Sequence, residues 1–199
     1  MPFGGAPFRR AISFRETFFR KTCFRETCLD SLTLITGGVS SGKTAHACRS
    51  AAEHGKRVLY VATCEPFDAE MHAKIARHRA ERPREWTTVE RSQDVARALV
   101  PGYDAAVVDC LTLLLAQLLQ QSADELAIAR EVRGLAAVRP GYPIYVVSNE
   151  VGLGGVSPNA EARRFAELQG RANQQLARYA DAVVCVISGL PMQLKGSSC

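Results

Sequence analysis

Eight consecutive residues, Gly37-Gly-Val-Ser-Ser-Gly-Lys-Thr44, constrain this chain more than any other part of it. They fit G-x-x-x-x-G-K-[ST] in full and stand between an apolar run, Leu32–Thr36, and helical text that continues over Ala45–Glu53. Strand, glycine loop and helix in that order predict a phosphate cradle. The glycines let backbone N–H groups close around phosphate oxygens, and the helix N-terminus adds positive potential. Lys43 is then the residue for the β/γ-phosphates and Thr44 a ligand for Mg²⁺. All eight positions, Gly37, Gly38, Val39, Ser40, Ser41, Gly42, Lys43 and Thr44, are candidate nucleotide-binding residues.

Downstream, apolar runs of strand length alternate with amphipathic helical text. Arg57–Ala62, Ala105–Val108, Ile144–Val147 and Ala182–Ile187 read as strands. Glu70–Arg82 reads as a helix stopped by Pro83, Leu113 to Val138 as helical text interrupted near Ser122, and Asn159 to Tyr179 as a long amphipathic helix. The alternation predicts an α/β fold with a mostly parallel sheet covered on both faces. Asp109, directly after Ala105-Ala-Val-Val108, is the candidate carboxylate for the metal's water shell, with a turn former or helix cap as the alternative. Asn149-Glu150 also follows an apolar strand, where a ligand contact and a turn with a helix cap both fit.

Charge narrows the partners. The chain carries +5, but residues 1–30 hold six Arg/Lys against three acids, leaving the remainder nearly neutral and without a basic stripe. Nucleic-acid binding lacks its electrostatic footprint in such a chain, and no nucleic-acid partner is expected. No apolar run approaches the ~20 residues that span a bilayer. Seven cysteines without a CxxC pair suit a reducing compartment, so the expected location is the cytoplasm. Residues 13–27 repeat a pentad, Ser13-Phe-Arg-Glu-Thr and its variants, whose period puts no apolar face on a helix. Residues 1–30 are therefore read as a disordered basic extension and residues 31–199 as one domain.

Further motifs follow in order: Leu59-Tyr-Val-Ala-Thr63, Ile75-Ala-Arg-His-Arg-Ala-Glu-Arg-Pro83, Trp86 through Glu90, Asn149-Glu-Val-Gly-Leu-Gly154 and Gly170-Arg-Ala-Asn-Gln174. Together with the phosphate loop they resemble the bifunctional adenosylcobinamide kinase/adenosylcobinamide-phosphate guanylyltransferase family over about residues 32–189. The resemblance implies a RecA-like P-loop sheet, a homotrimer, and two reactions. ATP or GTP phosphorylates the aminopropanol hydroxyl of adenosylcobinamide, and GMP passes from GTP to the new phosphate. In the family the histidine of Ile-x-x-His carries GMP as a phosphoramidate, which by matching is His78. Imidazole is a competent nucleophile near neutral pH, and Arg77, Arg79 and Arg82 supply charge for the departing pyrophosphate.

Other nucleotide contacts implied by the resemblance fall on Thr63, Cys64 and Glu65, on Arg79, Ala80, Glu81 and Arg82, on Glu90 and on Asp109. Position 109 is Asp where the family often has Glu, Cys64-Glu65 replaces a Ser-Gln type of pair, and Gly154–Pro158 departs from the family segment. Arg171 and Asn173 read either as contacts to a substrate phosphate or adjoining subunit, or as a solvated face. His46, His54 and His72 read as ordinary helix or loop residues. A plain kinase explains the loop and Asp109 but not Ile75–Pro83, and a RecA-like motor lacks the basic surface.

Overall fold

The structure, a computed structural model, describes residues 30–63, 79 and 82–196. Among the described residues seven strands form one sheet: β1 (Leu32–Gly37), β2 (Val58–Ala62), β3 (Thr87–Glu90), β4 (Ala105–Asp109), β5 (Ile144–Val147), β6 (Ala182–Ile187) and β7 (Leu190–Lys195). Their spatial order is β3-β2-β4-β5-β1-β6-β7, parallel throughout except for β7, which runs antiparallel to β6. Among the described residues four α-helices of ten residues or more accompany them: α1 (Lys43–Ala52), α2 (Leu111–Gln120), α3 (Glu125–Ala137) and α4 (Ala160–Tyr179). The expected mostly parallel sheet with helices on both faces is present.

Strand side chains alternate between faces, and here both faces are buried. Leu34, Leu59, Val61, Val108 and Val146 pack with Leu111, Leu115, Val132 and Leu176, the buried sides of α2, α3 and α4. On the opposite face Ile35, Tyr60, Val107, Tyr145 and Val147 pack with Ala47 and Ala51 of α1 and with Trp86. That two-sided burial explains why the inner strands read as continuous apolar runs rather than as an alternation.

Helix boundaries follow local chemistry. The helical text from Leu113 to Val138 divides at Ser122, which adopts a positive φ of 62° between α2 and α3. The Asp124 side chain then accepts from Ala127 N at 2.6 Å and starts α3. Asn159 caps α4 in the same way, accepting from Glu161 N at 2.8 Å and Ala162 N at 3.1 Å. Two strands have no counterpart in the sequence reading. β3, Thr-Thr-Val-Glu, is short and half exposed, and β7 is an exposed edge strand opened by the tight turn at Ser188-Gly189. The readings of residues 1–30 as an extension and of Glu70–Arg82 as a helix fall largely outside the described residues.

Because β1, β2, β3, β4 and β5 are mutually parallel, their carboxyl ends share one edge of the sheet. Gly37–Thr44, Thr63, Glu90, Asp109 and Ser148–Glu150 all lie at that edge. Burial of β1 is what holds it in place. Leu34→Ala is expected to lower the unfolding free energy by about 2–5 kcal/mol in urea titrations, the cost of a cavity in a close-packed core. A loss below about 1 kcal/mol would contradict the packing described.

Candidate functional site

Gly37 leaves β1 with φ 147°, and a Cβ on it would lie 2.3 Å from the Val186 carbonyl oxygen of β6. Ser40 (φ 56°) and Gly42 (φ 96°) take left-handed conformations that turn the loop into α1. The loop is pinned from outside as well. Glu150 N donates to Gly37 O at 3.1 Å and Gly189 N to Ser41 O at 2.9 Å. Lys43 is buried, and its Nζ donates to Gly38 O at 2.5 Å, across the mouth of the loop. Ser41 Oγ is a buried hydroxyl that has no hydrogen-bond partner among the described residues.

Thr44 projects from the first turn of α1 toward the end of β4. Its Oγ1 lies 3.4 Å and 3.3 Å from the two carboxylate oxygens of Asp109. Asp109 therefore is neither a turn former nor a cap: its carboxylate faces α1, and Cys110, which precedes α2, makes no side-chain cap. The Tyr60 hydroxyl donates to Asp109 Oδ2. Burial first, then the neighbouring carboxylate, pushes the Tyr60 phenol far above its ordinary value, so it stays a donor. Arg82 lays its guanidinium over the same ring, with Cζ 3.4 Å from the centroid, and donates through Nη1 to Thr88 Oγ1 at 3.4 Å.

The donor set here consists of hard oxygens, one hydroxyl and one carboxylate, next to a loop whose orphaned Ser41 hydroxyl still has a bond to make. That chemistry fits Mg²⁺, which takes few protein oxygens and keeps waters and phosphate oxygens as its other ligands. Among the described residues no cluster of three or more His, Cys, Asp or Glu stands together. Thr44, Ala45, Cys48, Tyr60, Arg82, Pro83 and Trp86 line an adjacent cavity of about 200 Å³.

Other expected site residues divide. Thr63 is fully buried: its hydroxyl donates to Cys110 O at 2.7 Å and its N–H to Asp109 O at 3.0 Å. It fixes the backbone around Asp109. Glu90 ends β3, exposed, and Arg79 is exposed with its carbonyl accepting from Arg82 N at 3.3 Å. His78, Cys64, Glu65, Ala80 and Glu81 lie outside the described residues, as does His72. His46 and His54 are held toward the neutral form chiefly by burial, and the His54 ring makes a 2.7 Å hydrogen bond with the Tyr145 hydroxyl.

Asn173 proves to be on neither of the surfaces considered for it. It is buried, and its Nδ2 donates to Asn149 O at 3.1 Å and Glu150 Oε1 at 3.2 Å. Its Oδ1 accepts from Ser148 Oγ at 2.6 Å and Gln169 Nε2 at 3.0 Å. Thr112 Oγ1 accepts from Asn149 N at 3.0 Å. This network, which sequence reasoning missed, holds the loop after β5 that braces Gly37. The Glu150 side chain makes no cap to the 3-10 turn Val151–Gly154, so the helix-cap reading fails there. Arg171 is exposed and pairs with Glu125 at 3.4 Å, a solvated-face role.

Residues 33–194 match the family model described as cobinamide kinase / cobinamide phosphate guanyltransferase. The chain is 36% identical over 181 residues to the bifunctional adenosylcobalamin biosynthesis protein CobU of Escherichia coli strain K12, covering 82% of this chain and 99% of that one. It is 40% identical over 168 residues to the corresponding protein CobP of Pseudomonas aeruginosa, covering 82% and 96%. Among solved structures it is similar to the flagellar accessory protein FlaH of Methanocaldococcus jannaschii, with 15% identity, a TM-score of 0.45, and 85% and 80% covered. The architecture given above stands on its own strand order.

Burial also governs the cysteines beside the site. It pushes the Cys48 thiol up to about 11 and the Cys110 thiol up to about 12, the Asp109 carboxylate adding to both. A raised thiol pKa means less thiolate at pH 8 and slower alkylation. Iodoacetamide at pH 8 should leave both residues unmodified in the native protein and alkylate both in urea, as read by peptide mass mapping. Rapid native labelling of either thiol would contradict the burial.

Proposed function

The chain belongs to the cobinamide kinase / cobinamide phosphate guanyltransferase family, and from that premise we propose that its two reactions draw on one phosphate-binding site built on Gly37–Thr44 and Asp109. The protein is a bifunctional enzyme of adenosylcobalamin biosynthesis with both kinase and guanylyltransferase activities. One observation carries the proposal: the Thr44 hydroxyl and the Asp109 carboxylate meet within 3.4 Å beside the loop spanned by Lys43. Neither a plain kinase nor a nucleic-acid motor accounts for the family match.

In the kinase half, the loop amides and Lys43 hold the β- and γ-phosphates of ATP or GTP. The hydroxyl oxygen of adenosylcobinamide attacks the γ-phosphorus, the nucleoside diphosphate leaves, and the hydroxyl proton passes to solvent or a carboxylate. Lys43 stabilises charge that moves onto the β/γ-bridging oxygen. Thr44 and Asp109 are the residues to hold Mg²⁺, which when bound neutralises phosphate charge as a Lewis acid.

In the guanylyl half, a neutral ring nitrogen of His78 attacks the α-phosphorus of GTP and pyrophosphate leaves. The phosphate of adenosylcobinamide phosphate then attacks the same phosphorus, the imidazole leaves, and adenosylcobinamide-GDP forms. Arg82, seated on Tyr60 at the loop's flank, and Arg79 are the cations for the departing charge; Glu90 with Cys64, Glu65, Ala80 and Glu81 completes the nucleotide surface, and the buried Thr63 supports it through the backbone of Asp109 and Cys110. We read residues 31–199 as the one domain that performs this work in the cytoplasm. A homotrimer is the assembly we propose, supported by the exposed apolar side chains Leu190, Met192 and Leu194 on the edge strand β7. Among the described residues no helix is long and apolar enough to cross a membrane.

Paired labels test the assignment. With α-labelled GTP the wild type should trap acid-labile, base-stable label on the peptide containing His78. His78→Ala should trap none yet keep measurable transfer from γ-labelled GTP or ATP, whereas Lys43→Ala should lose phosphoryl transfer by at least about a hundredfold while remaining folded. Normal labelling of His78→Ala, label on His46, His54 or His72, or wild-type turnover by Lys43→Ala would overturn the corresponding role.

A further inference from the structure

Tyr60 is a large polar side chain placed where an apolar one would fill the core. It sits in the middle of β2, is 1% exposed, and lies in register with Thr88 of β3 on one side and Val107 of β4 on the other. Its ring points to the α1 face of the sheet, the face that Asp109 shares two residues beyond Val107. Diagonal neighbours on adjacent strands are within reach of an aromatic side chain, and the phenol donates to Asp109 Oδ2. The ring's flat side carries the Arg82 guanidinium 3.4 Å from the centroid, and Arg82 also donates to Thr88, the residue beside Tyr60. Tyr60, Arg82 and Thr44 all line the same cavity.

We propose that Tyr60 is a positioning residue for both reactions, its hydroxyl orienting Asp109 toward Thr44 and its ring face seating Arg82 beside the same phosphate-binding site. The inference rests on the reading of Thr44 and Asp109 as the metal-holding pair. An aspartate's terminal torsion is broad and roughly two-fold, so a carboxylate at a strand end keeps one orientation only if its oxygens are held. Tyr60 holds Oδ2 from beneath the sheet's edge, which sets how both oxygens meet Thr44. Arg82 needs support of another kind. It lies four residues past His78, and a guanidinium held over an aromatic face keeps the N–H donors at its own edge available to an anion. Phenylalanine preserves the second function and removes the first; leucine removes both.

The test reads metal binding apart from turnover. Mn²⁺ is titrated with GDP present and followed by electron paramagnetic resonance, and kinase and guanylyl transfer are measured across Mg²⁺ concentration. Mn²⁺ binding, read in the wild type as loss of the free-ion signal, should be abolished by Asp109→Asn; if it is not, the metal-pair reading fails, and with it the premise. Given that control, Tyr60→Phe should bind Mn²⁺ about tenfold or more weakly, and saturating Mg²⁺ should return its turnover to within about twofold of wild type. Tyr60→Leu should stay at least about tenfold down at saturating Mg²⁺. Arg82→Ala, a change at a half-buried position, should bind Mn²⁺ as the wild type does yet lose turnover similarly, which tests the ring's role if the leucine variant does not fold. Wild-type Mn²⁺ affinity in Tyr60→Phe, a loss in that variant that Mg²⁺ does not recover, or wild-type turnover in Arg82→Ala would overturn the proposal.

Discussion

Helix α1 meets the sheet through Ala47 and Ala51, both completely buried, and the closeness of that contact sets Thr44 over Asp109. Larger residues at either position would lift the helix off β4 and β5 and open the distance between hydroxyl and carboxylate. The loop that precedes α1 depends on the same approach. Gly42 starts the helix in a left-handed conformation, and the Gly189 amide ties the adjoining Ser41 carbonyl to the β6–β7 turn. The shape of the proposed phosphate-binding loop is therefore set by helix-on-sheet packing as much as by the loop's own glycines.

A second layer of support is polar. Asn173 from α4 joins Ser148, Gln169 and Glu150, and the loop that they hold donates back to Gly37. Buried polar networks are costly unless satisfied, and this one is placed where it fixes the strand that feeds the phosphate loop. Thr63 does comparable service at the end of β2, through the backbone of Asp109 and Cys110. The proposed site residues Lys43, Thr44 and Asp109 thus rest on neighbours whose hydrogen bonds hold both the backbone and the Asp109 carboxylate in place.

Much of this could be read from the sequence because its signals are local. The phosphate loop announces strand, turn and helix within a dozen residues, and five inner strands declare themselves as β-branched apolar runs because both of their faces are covered. β3 and β7 did not, since edge strands need no such composition: the first is Thr-Thr-Val-Glu and the second contains Pro191 and Lys195, both suited to an edge. The position of Asp109 at the carboxyl end of β4 was legible from the apolar run before it. Tyr60 was not, because a tyrosine within an apolar strand looks like core until the neighbouring strand brings a carboxylate to its hydroxyl. Asn173 was misjudged for the same reason, as its partners come from residues 148–150 and 169, and only the fold brings them together.

The account's central claim is that a single site at the carboxyl edge of the sheet holds both the triphosphate and its metal. Diffraction from crystals grown with Mn²⁺ and β,γ-imido-GTP measures this directly, since manganese is located by its anomalous signal. The account predicts one manganese peak between the Thr44 hydroxyl and Asp109, with β- and γ-phosphates in the loop of Gly37–Thr44 and Lys43 Nζ turned from Gly38 onto them. A nucleotide bound elsewhere, or a manganese peak away from Thr44 and Asp109, would contradict it.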